Sequence, residues 1–111
     1  MAYSETLAAR IRDLLADRPD VVERKMFGGL AFLVGGHMAV AAGSGGGLMV
    51  RVDPAASDEL TSSTPARLME MGSRQLRGWL ILDAVDVADA ARLDDWIDRG
   101  TAYASSLPPK G

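Results

Sequence analysis

The stretch that decides the fold is LAFLVGGHMAVA, residues Leu30 to Ala41. Within it, the apolar runs Leu30 to Val34 and His37 to Ala41 flank the pair Gly35-Gly36. Glycine adopts positive φ angles at little steric cost, and a two-residue hairpin turn requires such angles. The stretch therefore predicts a β-hairpin near the middle of the chain.

The residues before this hairpin predict a helix and one more strand. Ser4 is a good N-cap residue, and an apolar stripe at helical spacing follows it and ends before Pro19. The stripe consists of Leu7, Ile11, Leu14 and Leu15. From Val21 the pattern changes to the alternation of a strand, which Gly28-Gly29 interrupts. We expect a bend or bulge at these glycines, where another backbone approaches closely.

The residues after the hairpin predict further strands and two helices. They are a strand at Leu48 to Val52, a short helix from Pro54 to near Thr61, an extended segment at Arg67 to Met71, a strand buried on both faces at Gly78 to Asp83, and a long helix from near Asp86 to Pro108. The fold class is therefore α+β, with an antiparallel sheet of five to six strands covered by the N- and C-terminal helices, plus one short helix. We expect a single domain over residues 1–111.

The composition excludes several classes of site. The chain has no cysteine, which excludes disulfides, thiolate nucleophiles and cysteine-ligated metals. Its net charge of −3, with interspersed charges, argues against direct nucleic-acid binding, which draws its affinity from neutralised phosphates. The N-terminus lacks the apolar run of a signal peptide, and glycines interrupt the stretch from Met26 to Val50 too often for a membrane helix. We expect a cytoplasmic protein that does not enter a membrane.

Catalytic patterns do not emerge from the sequence. His37 is the only histidine, follows a turn where side chains are usually solvated, and has no second histidine for metal binding or acid–base chemistry. The glycine-rich segment at residues 43–47 leads into a strand and lacks Gly-Lys-Ser/Thr, so we expect a hairpin loop and not a phosphate loop. Methionines in the predicted strands could bind Cu(I), but methionine more often fills cores and adaptable surfaces. We expect no catalytic residue, cofactor or metal, and a protein that is not an enzyme.

Several pieces of the sequence together resemble the N-terminal domain of the TfoX family of competence regulators. They are Arg24-Lys25-Met26-Phe27-Gly28-Gly29-Leu30-Ala31-Phe32, Gly36-His37-Met38, Leu48 to Val52, and Met69-Glu70-Met71-Gly72 followed by Arg77-Gly78-Trp79. The resemblance covers nearly the whole chain and implies an α+β domain with a link to bacterial transcriptional control of DNA uptake. The regulators of this family also carry a C-terminal domain for nucleic-acid contacts, which we expect this chain to lack. It would then keep the fold and a partner-binding surface.

The candidate interaction site surrounds the glycine bend. Its residues are Lys25, Met26, Phe27, Gly28, Gly29, Arg51, Gly78 and Trp79. Phe27 and Trp79 could form the aromatic wall of a groove with Arg51 as its polar handle, or both aromatics could belong to the core. We expect a regulatory module that binds an unidentified protein partner, with a homodimer as one form of that interaction. The alternative is a binder or enzyme for small anions that uses Lys25, Arg51 and His37.

Overall fold

The computed structural model describes residues 3–26 and 28–109. Its elements are α1 (Glu5–Leu14), β1 (Val21–Met26), β2 (Gly29–Val34), β3 (His37–Ala42), β4 (Leu48–Arg51), α2 (Ser57–Ser63), β5 (Arg67–Met71), β6 (Arg74–Leu82) and α3 (Ala90–Ser106). Short 3-10 helices at Pro54–Ala56 and Ala84–Val87 precede α2 and α3. The strands form one six-stranded sheet in the order β1-β2-β3-β4-β6-β5, and each neighbouring pair is antiparallel. The predicted α+β fold is confirmed.

The turn between β2 and β3 has the predicted geometry. Gly35 and Gly36 have φ angles of +61° and +84°. The strands pair directly from Val34 and His37 onward. Because both turn residues have positive φ, the connection is of the two-residue type that suits the twist of a hairpin.

The glycine bend after β1 is a second tight hairpin turn. β1 and β2 pair from Met26 and Gly29 onward, and Gly28 has a φ of +77°. A Cβ atom on Gly29 would lie 2.4 Å from the carbonyl oxygen of Ala42 in β3. The predicted close approach of another backbone is therefore confirmed.

Both α1 and α3 cover the same face of the sheet. Alternate strand residues point to this face and form the main core with the two helices. The core includes Leu30, Phe32, Val40, Leu48, Val50, Leu80 and Leu82 from the sheet, Leu7 and Ile11 from α1, and Leu93, Trp96 and Ile97 from α3. The prediction that the N- and C-terminal helices cover the sheet is confirmed.

Three details differ from the sequence-based expectations. Leu14 is 42% exposed while Leu15 is buried, because one residue turns a helical side chain by roughly 100°. β6 begins at Arg74 instead of Gly78, since its first residues pair with β5 beyond the core. Trp79, in the strand expected to be buried on both faces, is only half-buried, because no helix of the described residues packs on the second face of the sheet.

Candidate functional site

The sheet face opposite α1 and α3 is apolar and is called the open face below. Side chains alternate along a strand, so the neighbours of the main-core residues point to this side. Its residues are Val22, Arg24, Met26, Ala31, Leu33, Met38, Ala41, Met49, Arg51, Arg67, Met69, Trp79 and Ile81. Ala31, Leu33, Met38 and Ala41 form a buried cluster of their own, against which Trp79 packs. The sheet therefore presents a second apolar surface.

A cavity of about 290 Å³ lies on the open face. Methionines from four different strands line it, namely Met26, Met38, Met49 and Met69. Ala31 and Ala41, which are paired across β2 and β3, also line it. Two small side chains at paired positions leave room that larger ones would fill. Flexible, polarizable thioethers around such a space make a surface that adapts to the shape of what binds there.

Two hairpin tips form one rim of the cavity. A Cβ atom on Gly28 would lie 3.2 Å from the Cβ of Ser44, so the β1–β2 turn lies against the loop between β3 and β4. That loop is closed by the Gly43 N–H, which donates to the carbonyl oxygen of Gly47 at 2.8 Å. It connects two strands, as predicted, and no helix N-terminus follows it that could hold a phosphate.

Acidic and basic side chains also line the cavity. Arg67 donates two hydrogen bonds to the carboxylate of Asp83, at 3.2 and 3.1 Å. These hydrogen bonds and the attraction between the charges raise the pKa of Arg67. Glu70 is the other carboxylate that lines the cavity. Arg67 is therefore already balanced by a partner within the chain.

The other two arginines of the open face have no such partner. Among residues 3–26 and 28–109, neither Arg24 nor Arg51 forms an ion pair. The Arg51 guanidinium lies over the Trp79 ring, 4.8 Å from its centroid, and 5.7 Å from the centroid of the Tyr103 ring on α3. Such cation–π contacts hold the guanidinium in place without neutralising its charge. The open face thus has an apolar centre, with the Glu70 carboxylate at the cavity and unbalanced positive charge near two of its borders.

The predicted site residues are only partly brought together. Met26 and Gly29 line the cavity, whereas Arg51 and Trp79 are paired across β4 and β6 at the other end of β4. The buried N–H of Gly78 donates to the Ser57 hydroxyl at 2.7 Å, so this residue has a structural role. Phe27, the expected partner of Trp79 in an aromatic wall, lies outside the described residues.

The alternative anion site of Lys25, His37 and Arg51 is not assembled, which corrects that expectation. Lys25 is paired with Leu30 and so points to the helix-covered face, since directly opposed residues share a face. Arg51 points to the open face, and β2 and β3 separate the two strands. The His37 Nε2 lies 2.7 Å from the carbonyl oxygen of Pro108, to which it donates. This histidine ties a turn to the C-terminal segment and is not the solvated side chain that the sequence suggested.

Sequence reasoning missed three residues of the open face and its border. Ala31 and Ala41 look like ordinary core alanines, although their opposed positions in two strands of a hairpin could have indicated a depression. Tyr103 reaches Arg51 from α3, and nothing in its local sequence indicates that contact.

Two features are absent from residues 3–26 and 28–109. Within them, no group of three or more His, Cys, Asp or Glu side chains could hold a metal ion. Likewise, none of their helices is both long enough and apolar enough to cross a membrane.

Comparison with protein families supports the resemblance noted in the sequence. A family model described as TfoX N-terminal domain matches residues 13–104, from within α1 to within α3, and so includes all six strands. No curated protein and no solved structure matches the chain. The match covers most of the 111 residues. The chain therefore belongs to the TfoX N-terminal domain family.

Proposed function

We propose that this protein is an interaction module that binds an acidic amphipathic segment of a partner protein on its open face. The observation that carries the proposal is the methionine-lined cavity of about 290 Å³ on a sheet face that no described helix covers. The resemblance to competence regulators supports a regulatory setting for this interaction. The proposed segment has apolar side chains that enter the cavity, called apolar anchors below, and acidic residues on either side of them, called acidic flanks. The cavity indicates the anchors, and the arginines of the open face indicate the flanks.

The apolar anchors follow from the size and lining of the cavity. Small-molecule pockets usually measure about 300–1,000 Å³ and enclose their ligand, so this cavity is at the lower limit of that class. It can take one or two apolar side chains that project from a longer segment. Methionine surfaces suit this role, because the unbranched side chain can repack around anchors of different shape.

The acidic flanks follow from Arg24 and Arg51. Each lies on the open face without a carboxylate partner among the described residues, so each can form a charge-assisted hydrogen bond with an incoming carboxylate. Arg51 is already held over Trp79, 4.8 Å from the ring centroid, and therefore loses less side-chain entropy on binding. A lysine-rich segment would meet like charges at the same places.

Two synthetic helical peptides test the proposal directly. Both peptides have the same leucines and phenylalanines at helical spacing. All remaining positions are glutamate in one peptide and lysine in the other. We expect the glutamate peptide to bind and to shift the methyl NMR signals of Met26, Met38, Met49 and Met69, with the lysine peptide causing no shift. Equal shifts with both peptides, no shift with either, or shifts confined to the exposed Met71 would contradict the proposal.

A pair of arginine variants shows whether the binding depends on the open face. Arg51→Glu should weaken binding of the glutamate peptide by about tenfold, since a charge-assisted hydrogen bond is replaced by repulsion. Arg99→Glu is the matched control, because Arg99 also lies over a tryptophan, 5.5 Å from the Trp96 centroid, but on α3. Similar losses for both variants would indicate a general charge effect and would count against binding at this site.

A further inference from the structure

β1 is an edge strand with regular pairing and an uncovered outer side. It ends the sheet on one side and pairs with β2 without interruption from Val21 to Met26. On the other side, the pairing of the edge strand β5 is interrupted between Leu68 and Met69. Such interruptions are one way in which proteins protect an edge from pairing with another chain, and proline is another. β1 has neither, so its outer side is a usable template for a further strand.

The hairpin geometry determines which backbone groups of β1 point outward. A two-residue turn closes on a residue pair that exchanges both hydrogen bonds, which here is Met26 with Gly29. Bonding to β2 then alternates along the strand, so the N–H and C=O groups of Glu23 and Lys25 face away from the sheet. Among the described residues, no backbone hydrogen bond from outside the sheet reaches either of them.

We propose that a second copy of this chain pairs with β1 in antiparallel orientation, with the two-fold axis at Arg24. In this register Glu23 of each copy is opposite Lys25 of the other. Each of these two residue pairs joins outward-facing N–H and C=O groups by hydrogen bonds and places opposite charges next to each other. On the other face, Val22 of each copy is opposite Met26. Moving the axis by one residue, to Glu23, would set two carboxylates against each other and place Val22 opposite Arg24.

The charges explain why this edge selects its own copy. Lysine on an edge strand usually discourages pairing, but here Glu23 and Lys25, on either side of Arg24, have opposite charges and meet each other in one register. Glu23 already accepts two hydrogen bonds from Arg12, at 2.6 and 2.9 Å, so Arg12 balances part of its charge and Lys25 of the second copy adds a smaller gain than to a free carboxylate. The two Arg24 side chains oppose each other at the axis, and this repulsion reduces the gain.

The consequences are a weak dimer and a larger open face. Edge pairing through one strand buries less than the roughly 1,600 Å² of a standard interface, so the dimer should depend on protein concentration and on salt. A two-fold axis perpendicular to the sheet places both open faces on the same side and doubles the six-stranded sheet. The pairing does not require the proposed peptide binding and can be tested without any peptide.

Disulfide trapping tests the register, because the chain has no cysteine of its own. Arg24→Cys places two thiols opposite each other in a non-hydrogen-bonded pair, with Cα atoms about 4.5 Å apart, which suits a disulfide. Val22→Cys is the control, since Val22 lies on the same face of β1 and is 56% exposed. In the proposed register its two copies lie four residues apart along the strands, about 13 Å, beyond the reach of a disulfide. We expect a covalent dimer from R24C on a non-reducing gel and none from V22C, and equal trapping of both would overturn the proposal.

A charge-swap experiment tests the pairing of Glu23 with Lys25. Glu23→Lys and Lys25→Glu should each be monomeric in sedimentation velocity, because each sets like charges against each other across the axis. An equal mixture of the two variants should recover the dimer, since position 23 of one then has the opposite charge to position 25 of the other. Circular dichroism of each variant checks its folding. A wild-type chain that stays monomeric at every concentration, or a mixture that recovers no dimer, would disprove the proposed interface.

Discussion

Gly100 sets the distance between α3 and the sheet. A Cβ atom at this position would lie 2.4 Å from the carbonyl oxygen of Ala39 and 2.9 Å from Cγ1 of Val40. We expect Gly100→Ala to lower the free energy of unfolding by about 1–2 kcal/mol, because overpacking outweighs the better helix propensity of alanine. Urea denaturation, with circular dichroism as the probe, measures the change.

Gly45→Ala is the control for that substitution. Gly45 lies in the β3–β4 loop, where an added Cβ would have no neighbouring heavy atom within 4 Å and where φ is not positive. The free energy of unfolding of the Gly45→Ala variant should be unchanged or higher by less than about 1 kcal/mol, because alanine reduces the conformational entropy of the unfolded chain. If Gly100→Ala proves equally harmless, α3 can move away from the sheet without loss.

Glu23 makes the stability of the protein depend on pH. Hydrogen bonds from the Arg12 guanidinium hold the pKa of the Glu23 carboxyl below its usual value, and the attraction between the charges acts in the same direction. A carboxyl whose pKa is lower in the folded state adds stability above its unfolded-state pKa, and this stability is lost as pH falls through its folded-state pKa. Glu23→Gln should therefore be less stable than wild type at neutral pH and equally stable in acid.

Thermal unfolding of both proteins across pH measures this difference. Glu70→Gln is the comparison, since Glu70 forms no ion pair among the described residues, and its effect at neutral pH should be smaller. A stability gap for Glu23→Gln that stays constant down to strongly acidic pH would mean that the ion pair with Arg12 is not its cause.

Single residues are predictable from sequence where their partners are local. Ser4 accepts a hydrogen bond from the helix backbone at 3.1 Å, as an N-cap residue should, and Gly35-Gly36 forms the expected turn. Both depend on chemistry within a few residues. The partner of His37 is Pro108, which lies far along the chain, so no local pattern could indicate that hydrogen bond.

At the scale of elements, α3 begins with a side-chain cap. The Asp89 carboxylate accepts hydrogen bonds from the N–H groups of Ala91 and Arg92, at 2.8 and 3.2 Å. Asp89→Ala removes these partners, so we expect a loss of about 1 kcal/mol in the free energy of unfolding, measured by urea denaturation. Asp95→Ala, on the exposed side of the same helix and away from its cap, should change stability by no more than about 0.5 kcal/mol. Equal effects would show that the cap does not stabilise α3.

The helix start was harder to place from the sequence than the helix itself. The apolar stripe of α3 predicts a long C-terminal helix, but its start near Asp86 is wrong, because a 3-10 helix at Ala84–Val87 precedes α3. Asp86 and Asp89 are both good caps, and the sequence does not distinguish them. In the structure Asp89 is the N-cap of α3, whereas Asp86 is the third residue of the 3-10 helix and accepts from the N–H of Asp83, the N-cap of that helix.

The β5–β6 hairpin shows why exposed strands escape sequence analysis. The apolar run after Gly78 predicts the second half of β6, and the extended segment at Arg67–Met71 is confirmed as β5. The first half of β6 pairs with β5 beyond the core, where side chains are mostly exposed. Without a buried face there is no alternation of apolar and polar residues to detect.

At the scale of the whole molecule, the strand order does not follow from the order of elements. Short hairpins explain the sequence β1-β2-β3-β4, but β6 lies between β4 and β5. The physical reason is burial: Leu80 and Leu82 are fully buried, whereas no residue of β5 is. The more apolar strand therefore takes the inner position.

Strand β2 is buried on both faces, so its pattern could not indicate which face the helices cover.

Leu80 and Met49 show whether the two faces of the sheet have the different roles proposed for them. These residues of the adjacent strands β6 and β4 point to opposite sides: Leu80 is 0% exposed in the main core, and Met49 lines the cavity of the open face. Leu80→Ala should cost about 2–5 kcal/mol in the free energy of unfolding, and Met49→Ala less than about 1.5 kcal/mol, because it enlarges a cavity that already exists. Binding of the glutamate peptide should respond in the opposite order, with Met49→Ala weakening it and Leu80→Ala leaving it unchanged in the folded fraction. Equal losses of stability would mean that the open face is a second half of the core, which would remove the basis for a binding site there.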